Sequence, residues 1–181
     1  ISQAQIVHVP GDYPTIQEGI DAAQFLGDTV LVEQGTYYEN ISFSGKFITV
    51  ASNFILSGDS SDLYNTIIDG SLSTDPLDGS VVKFESGENT NSAIFGFTIT
   101  SGTGNYSSDH QAYGGGGILV INSGATITHN RIFGNTITDE NSYGAGILVE
   151  TPKYKTYITG NIIENNSLDD LNSSYAGGGG I

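Results

Sequence analysis

Apolar positions along the chain follow two rhythms. Ile16, Ile20 and Ala23 recur at helical spacing behind Thr15 and Glu18, which are placed as a capping box, where each side chain satisfies the other end's backbone N–H. A short amphipathic helix is predicted over residues 16–26, closed by Gly27, a residue that tolerates a left-handed terminal turn. Before it QIVHV (5–9) alternates as a strand, and after it DTVLVEQG (28–35) returns to strand. Beyond that point only strands are predicted. The runs are NISF (40–43), FITVAS (47–52), TIID (66–69), VVKFE (81–85), AIFGFTIT (93–100), GILVI (117–121), ATITHNRIF (125–133), GILVE (146–150) and TYITGNIIE (156–164). Glycine, asparagine, serine and aspartate punctuate them.

Evenly spaced short strands usually suggest a sandwich or a barrel. A repeat argues for another arrangement. Gly117-Ile118 recurs at Gly146-Ile147 and Gly180-Ile181, steps of 29 and 34 residues, while Asn130, Ile132 and Asn135 recur 31 residues on as Asn161, Ile163 and Asn166. Self-similarity at such a period marks a solenoid, here with three short strands to each coil. The punctuation inside TITHNRIF, YITGNIIE and AIFGFTI supports this. Asn130, Asn161 and Gly96 are residue types that enter the left-handed region at least cost, as a bend at one corner of every coil requires. Stacked asparagines there would bond from coil to coil. The expected inward positions are Val30, Val32, Ile41, Phe43, Ile48, Val50, Ile94, Ile118, Ile127, Ile132, Ile147, Ile158 and Ile163.

These phrases resemble the right-handed parallel β-helix (pectin-lyase-like) superfamily, and within it the secreted β-helix repeat proteins of bacteria. The resemblance opens with TIQEGIDAAQFLGDTVLVEQGTYYENISFSGKFITV (15–50) and continues through IIDGS, GFTIT and GGGGI over essentially the whole chain. It implies an all-β right-handed parallel β-helix of about five three-stranded coils with an N-terminal capping helix. In one domain, residues 1–27 would form the first strand and cap, and 28–181 the coils. The closing GGGGI reads as the start of another coil, so continuation past Ile181 is expected, the alternatives being a partner chain on the open coil or a ragged end. Secretion or a cell-surface location is implied. The same opening precedes lyases, esterases, epimerases and proteins without catalysis, so no single activity follows from it.

Charge narrows the partners. Five Lys+Arg against 20 Asp+Glu give a net charge of −15, which disfavours nucleic acid and anionic lipid surfaces. With no cysteine there is neither a disulfide framework nor a thiol nucleophile, and no apolar run reaches membrane-spanning length. Asp109, Asp139 and Asp169 recur every 30 residues, with Glu140 and Asp170 beside the last two. Stacked carboxylates of this kind suit calcium, the one candidate cofactor, while solvated loop tips that keep the edge soluble would carry the same residues. Tyr113, Tyr143 and Tyr175 precede the glycine-rich strands and would form a ladder, either a sugar-binding platform or simple packing.

Catalytic candidates are few. Arg131, Lys153 and Lys155 are the candidate bases for a lyase acting on acidic glycans, and Arg131 also lies near Glu164 for a surface ion pair. The DFIFG-like phrase of pectin methylesterases does not occur. His8, His110 and His129 lack ligand spacing, and His129 is expected to turn inward as a structural residue. Two functions follow: a non-enzymatic scaffold for assembly, adhesion or carbohydrate contact, or a calcium-assisted enzyme on acidic polysaccharides.

Overall fold

The computed structural model describes residues 3–108, 111–138, 141–169 and 177–181. Among the described residues the chain is mostly β, with three larger parallel sheets, a two-stranded parallel pair of Thr136–Ile137 with Ser167–Leu168, and no closed barrel. The first sheet stacks Ile6–Val9, Thr29–Val32, Thr49–Ser52, Ala93–Phe95, Thr126–Thr128 and Tyr157–Thr159 in chain order. The second stacks Gly35–Tyr37, Thr66–Asp69, Thr98–Thr100, Arg131–Phe133 and Ile162–Glu164. The third stacks Ile41–Ser42, Val82–Phe84, Ile118–Ile121 and Ile147–Glu150. From Thr29 the chain visits the sheets in strict rotation, first, second, third and back, so each circuit hydrogen-bonds to the circuits before and after it.

Parallel register stacks like residues over like. Val30, Val50, Ile94, Ile127 and Ile158 form one column of the first sheet. Ile68, Ile99, Ile132 and Ile163 form one in the second, and Ile41, Val82, Ile118 and Ile147 one in the third. Eleven of the thirteen expected inward residues are buried, and Ile158 and Ile163 are partly buried against the same core. Full burial of each such side chain stabilises by about 1.5–3 kcal/mol. The glycine runs serve the stacking too. A Cβ on Gly102 would meet the Gly116 carbonyl oxygen at 1.8 Å, so main chains of successive circuits touch where any side chain would part them.

The N-terminal helix forms over Ile16–Ala22, shorter than its pattern predicts. Thr15 Oγ1 accepts from the Glu18 N–H at 3.2 Å, while Glu18 takes the Thr15 hydroxyl at 3.0 Å in place of its backbone N–H. Glu39, from the following circuit, accepts from the Ile16 and Gln17 N–H groups at 2.9 Å each. At the other end Lys46 Nζ donates to the carbonyls of Ile20, Asp21 and Ala23 at 2.8, 2.6 and 2.8 Å. Asp28 then captures the N–H groups of Gln24 and Phe25. With both sets of groups satisfied by side chains, the chain leaves the helix at Ala23, and Gly27 (φ 90°) serves the turn beyond. Ile16 and Ile20 are fully buried. A Cβ on Gly19 would lie 2.9 Å from both Val9 and Val30, so the helix rests directly on the first sheet.

Three expectations are corrected, including that of an inward His129. Helix recurs after residue 35, in Phe54–Ser57 and Ser60–Asn65 and a short 3-10 turn at Gly70–Leu72. Asp59 caps Ser60–Asn65 by accepting from the Ser61 N–H, and Asp69 does the same for Ser71. Gly96 takes the corner bend as expected, but in the two asparagine-bearing corners the bend sits one residue earlier than expected. His129 (φ 54°), Gly160 (φ 66°) and Gly96 (φ 82°) take the left-handed conformation, and Asn130 and Asn161 follow it. His129 points outward, 5.2 Å from the Phe95 ring, whose other neighbour is Phe54 at 5.7 Å.

Freed from the bend, the asparagines bond from circuit to circuit. Asn130 Oδ1 accepts from the Phe97 N–H at 3.1 Å, and its Nδ2 donates to the Ile94 carbonyl at 3.0 Å. Asn161 repeats both moves on the Asn130 N–H and the Ile127 carbonyl, each at 2.8 Å. A second ladder joins Gly102, Asn135 and Asn166 in the same way.

Candidate functional site

The outer face of the third sheet carries the site. Inward positions of its strands are filled, so the alternate residues face out: Lys83, Leu119 and Leu148 share one row, and Ile121 and Glu150 the next. Glu85, one residue past Phe84, continues that second row. Beside this face stands an antiparallel sheet, Asp78–Gly79, Gly104–Ser107 and Ala112–Gly114, inserted in the connections from the second sheet to the third. Its pairing sets Tyr106 opposite Tyr113, ring centroids 5.1 Å apart and tilted at 55°. Face and wall enclose a cleft of about 480 Å³. Leu119, Ile121 and Leu148 give it an apolar floor, Tyr106, Tyr113 and Tyr143 aromatic sides, and Glu85 and Glu150 two carboxylates.

Partial burial raises the Glu85 carboxyl above its ordinary value; Lys83 opposes the shift, and Asp78 and Glu88 add to it. Lys83 is itself committed, its Nζ 2.7 and 2.5 Å from the two Asp78 oxygens. That ion pair ties the wall to the sheet.

The sequence-derived candidates separate. Tyr113 and Tyr143 meet in the cleft, where the Tyr143 N–H donates to the Tyr113 carbonyl at 2.9 Å. They are not stacked in register, because Tyr143 pairs with Gly114. Tyr113 precedes its Gly-Ile by one residue more than Tyr143 does, and this extra glycine shifts the column. Tyr175 lies outside the described residues, as do Asp109, Asp139, Glu140 and Asp170. Of the calcium candidates only Asp169 is described; its N–H donates to the Ile137 carbonyl at 2.9 Å. Among the described residues no three His, Asp or Glu side chains are grouped to hold a metal ion.

The candidate bases lie apart from the cleft lining. Arg131 is on the second sheet, bonded to Glu164 at 2.8 Å, with its guanidinium 3.9 Å from the Phe133 ring centroid. This is the surface ion pair the sequence suggested. Lys153 and Lys155 are exposed on the connection from the third sheet to the first, Lys153 over the Tyr154 ring at 5.4 Å.

Sequence reasoning missed Tyr106, Glu85 and Glu150 as cleft residues. The available signal was the alternation of GNYS (104–107) against AYG (112–114), a hairpin pattern that sets two tyrosines face to face. Among the described residues no helix is long and apolar enough to cross a membrane. Set against protein-family models, curated proteins and solved structures, the chain matches none.

Proposed function

We propose that the three-sheet circuits are coils of a right-handed parallel β-helix of the pectin-lyase-like kind. On this reading the chain is a non-enzymatic extracellular or cell-surface module that contacts carbohydrate through the cleft on its third sheet. The observation that carries the proposal is the cleft lining: three tyrosines over an apolar floor, rimmed by Asn105, Ser107 and Ser108. Sugars offer such a surface apolar C–H faces and hydroxyl edges, which aromatic rings and short polar side chains complement. The test is glycan binding followed by tyrosine fluorescence or calorimetry. Tyr113→Ala and Tyr143→Ala are expected to abolish it while the melting curve stays intact, and undiminished binding in both would sink the proposal.

A second reading, a carbohydrate-active enzyme, draws on one observation. Glu85 and Glu150 flank Ile121 in one row two strand spacings apart, about 9.5 Å. Paired carboxylates at about 6.5–9.5 Å suit hydrolysis with a water between them. Release of reducing ends from a polysaccharide, lost in Glu85→Gln, would establish this reading. Ultraviolet-absorbing unsaturated products would point to a lyase instead.

A further inference from the structure

One position in the floor row is out of keeping with its neighbours. Lys83, Leu119 and Leu148 stack in register on successive circuits, and the two leucines are cleft floor. An aliphatic side chain at 83 would extend that floor without the cost of taking a cation out of water. Lysine stands there instead, 8% exposed, with Nζ 2.7 and 2.5 Å from the two oxygens of Asp78. What the pair supplies, and a leucine does not, is a fixed separation between the third sheet and the wall beside it.

Asp78 is placed to pass that constraint on. It lies in register with Asn105, and Asn105 with Gly114, so one line of residues crosses the wall from the ion pair to the strand that carries Tyr113. On either side of Asp78 the main chain holds the next wall strand. The Leu77 carbonyl accepts from the Tyr106 N–H at 3.0 Å, and the Gly79 carbonyl from the Thr103 N–H at 2.9 Å. The Ser80 N–H donates to Asn105 Oδ1 at 2.8 Å. The strand pairing itself is only two residues long, and so short a ladder does little alone to set the angle of the wall.

We propose that Lys83 and Asp78 are positioning residues for the cleft: their ion pair sets how far Tyr106 and Tyr113 stand from Leu119 and Leu148, and so the affinity for a sugar held between them. The inference rests on the carbohydrate reading above and adds what holds the site to its width. Neither residue belongs to the lining, so each acts on a ligand through the wall.

Amide exchange without sugar, and calorimetry with cellohexaose, fully N-acetylated chitohexaose and hexagalacturonate as probes, test this well below the melting temperature. Lys83→Met and Asp78→Asn are expected to speed exchange of the Thr103 and Tyr106 N–H groups, while the Val82 N–H, bonded to Gly117, stays as protected as before. Each should weaken whichever probe the wild type binds by about threefold to tenfold. Lys83 and Asp78 act on the Glu85 carboxyl in opposite directions, so a loss common to both variants reports position and not charge. Lys83→Arg, which keeps a fork for both Asp78 oxygens, should restore affinity to within about twofold. Lys83→Met combined with Asp78→Asn leaves no unpaired buried charge and serves as the folding control; it should bind as weakly as the single variants. Unchanged exchange at Thr103 and Tyr106 overturns the latch whether or not a sugar binds. Faster exchange with undiminished affinity overturns the positioning role and leaves the cleft a sugar site. Failure of the wild type on all three probes overturns the carbohydrate reading and, with it, the role in affinity.

Discussion

Replacing Asn130 by alanine should show how much of the stack depends on its asparagine ladders. The residue is fully buried. Its side chain accepts from the Phe97 N–H and donates to the Ile94 carbonyl, the Thr128 carbonyl and Asn161 Oδ1, at 3.0–3.2 Å throughout. Alanine leaves the Phe97 N–H without a partner in a place water does not reach, a cost of about 1–3 kcal/mol, and loses the remaining bonds at about 1 kcal/mol together. A total near 3 kcal/mol corresponds to a fall of about 6–12 °C in Tm for a chain of this size. Far-UV circular dichroism would follow the melt, and amide exchange at Phe97 would show where the loss is felt. Because stacked repeats need not unfold in one step, the exchange measurement carries the greater weight. Asn161→Ala, at a half-buried position, should cost about half as much. A Tm change under about 3 °C in Asn130→Ala, with Phe97 as protected as before, would refute the reasoning.

Three further outcomes follow from charged groups. Lys46→Ala should destabilise by about 2 kcal/mol and speed amide exchange over residues 16–23, since it uncovers three carbonyls at the helix end; unchanged exchange there would argue against the cap. Burial alone would raise the Asp28 carboxyl, yet bonds from the Gln5, Phe25 and Gln24 N–H groups and the charge of Lys46 prevail and hold it below its usual 3.8. Its stabilising contribution is therefore complete above the unfolded value and lost as pH falls through the depressed one, so Asp28→Asn should flatten the stability profile below about pH 4. Fully buried Glu88 accepts from the Gly45 and Ser86 N–H groups and from the Ser123 hydroxyl. Glu88→Gln turns one acceptor into a donor facing donors and should cost about 3 kcal/mol by urea denaturation, whereas a neutral result would mean the pocket rearranges around the amide.

The strands and their columns were legible because one residue in two is apolar and the same apolar residue returns about every 31 positions. Ile94, Ile127, Ile132 and Ile147 could hardly point anywhere but inward. Burial at the corner was less legible. The motif carries a glycine or histidine immediately before the asparagine, and only the register shows that His129 takes the bend and leaves Asn130 free to bond. Phe54–Ser57 and Ser60–Asn65 escaped notice because four and six residues are too few to display a helical apolar repeat. The cleft could not be read from any one segment. Its tyrosines come from a hairpin and a neighbouring connection, and its glutamates from two strands of the third sheet separated by a third.

The asparagine ladders have a direction. In Asn130, Asn161, Asn135 and Asn166 alike, the carboxamide oxygen and nitrogen both reach back to the preceding circuit. Each turn of chain thus brings the fastener that locks the turn made before it. A polypeptide emerging N-terminus first could therefore close each circuit onto the one already formed, with the bonds that fasten it supplied by the later turn.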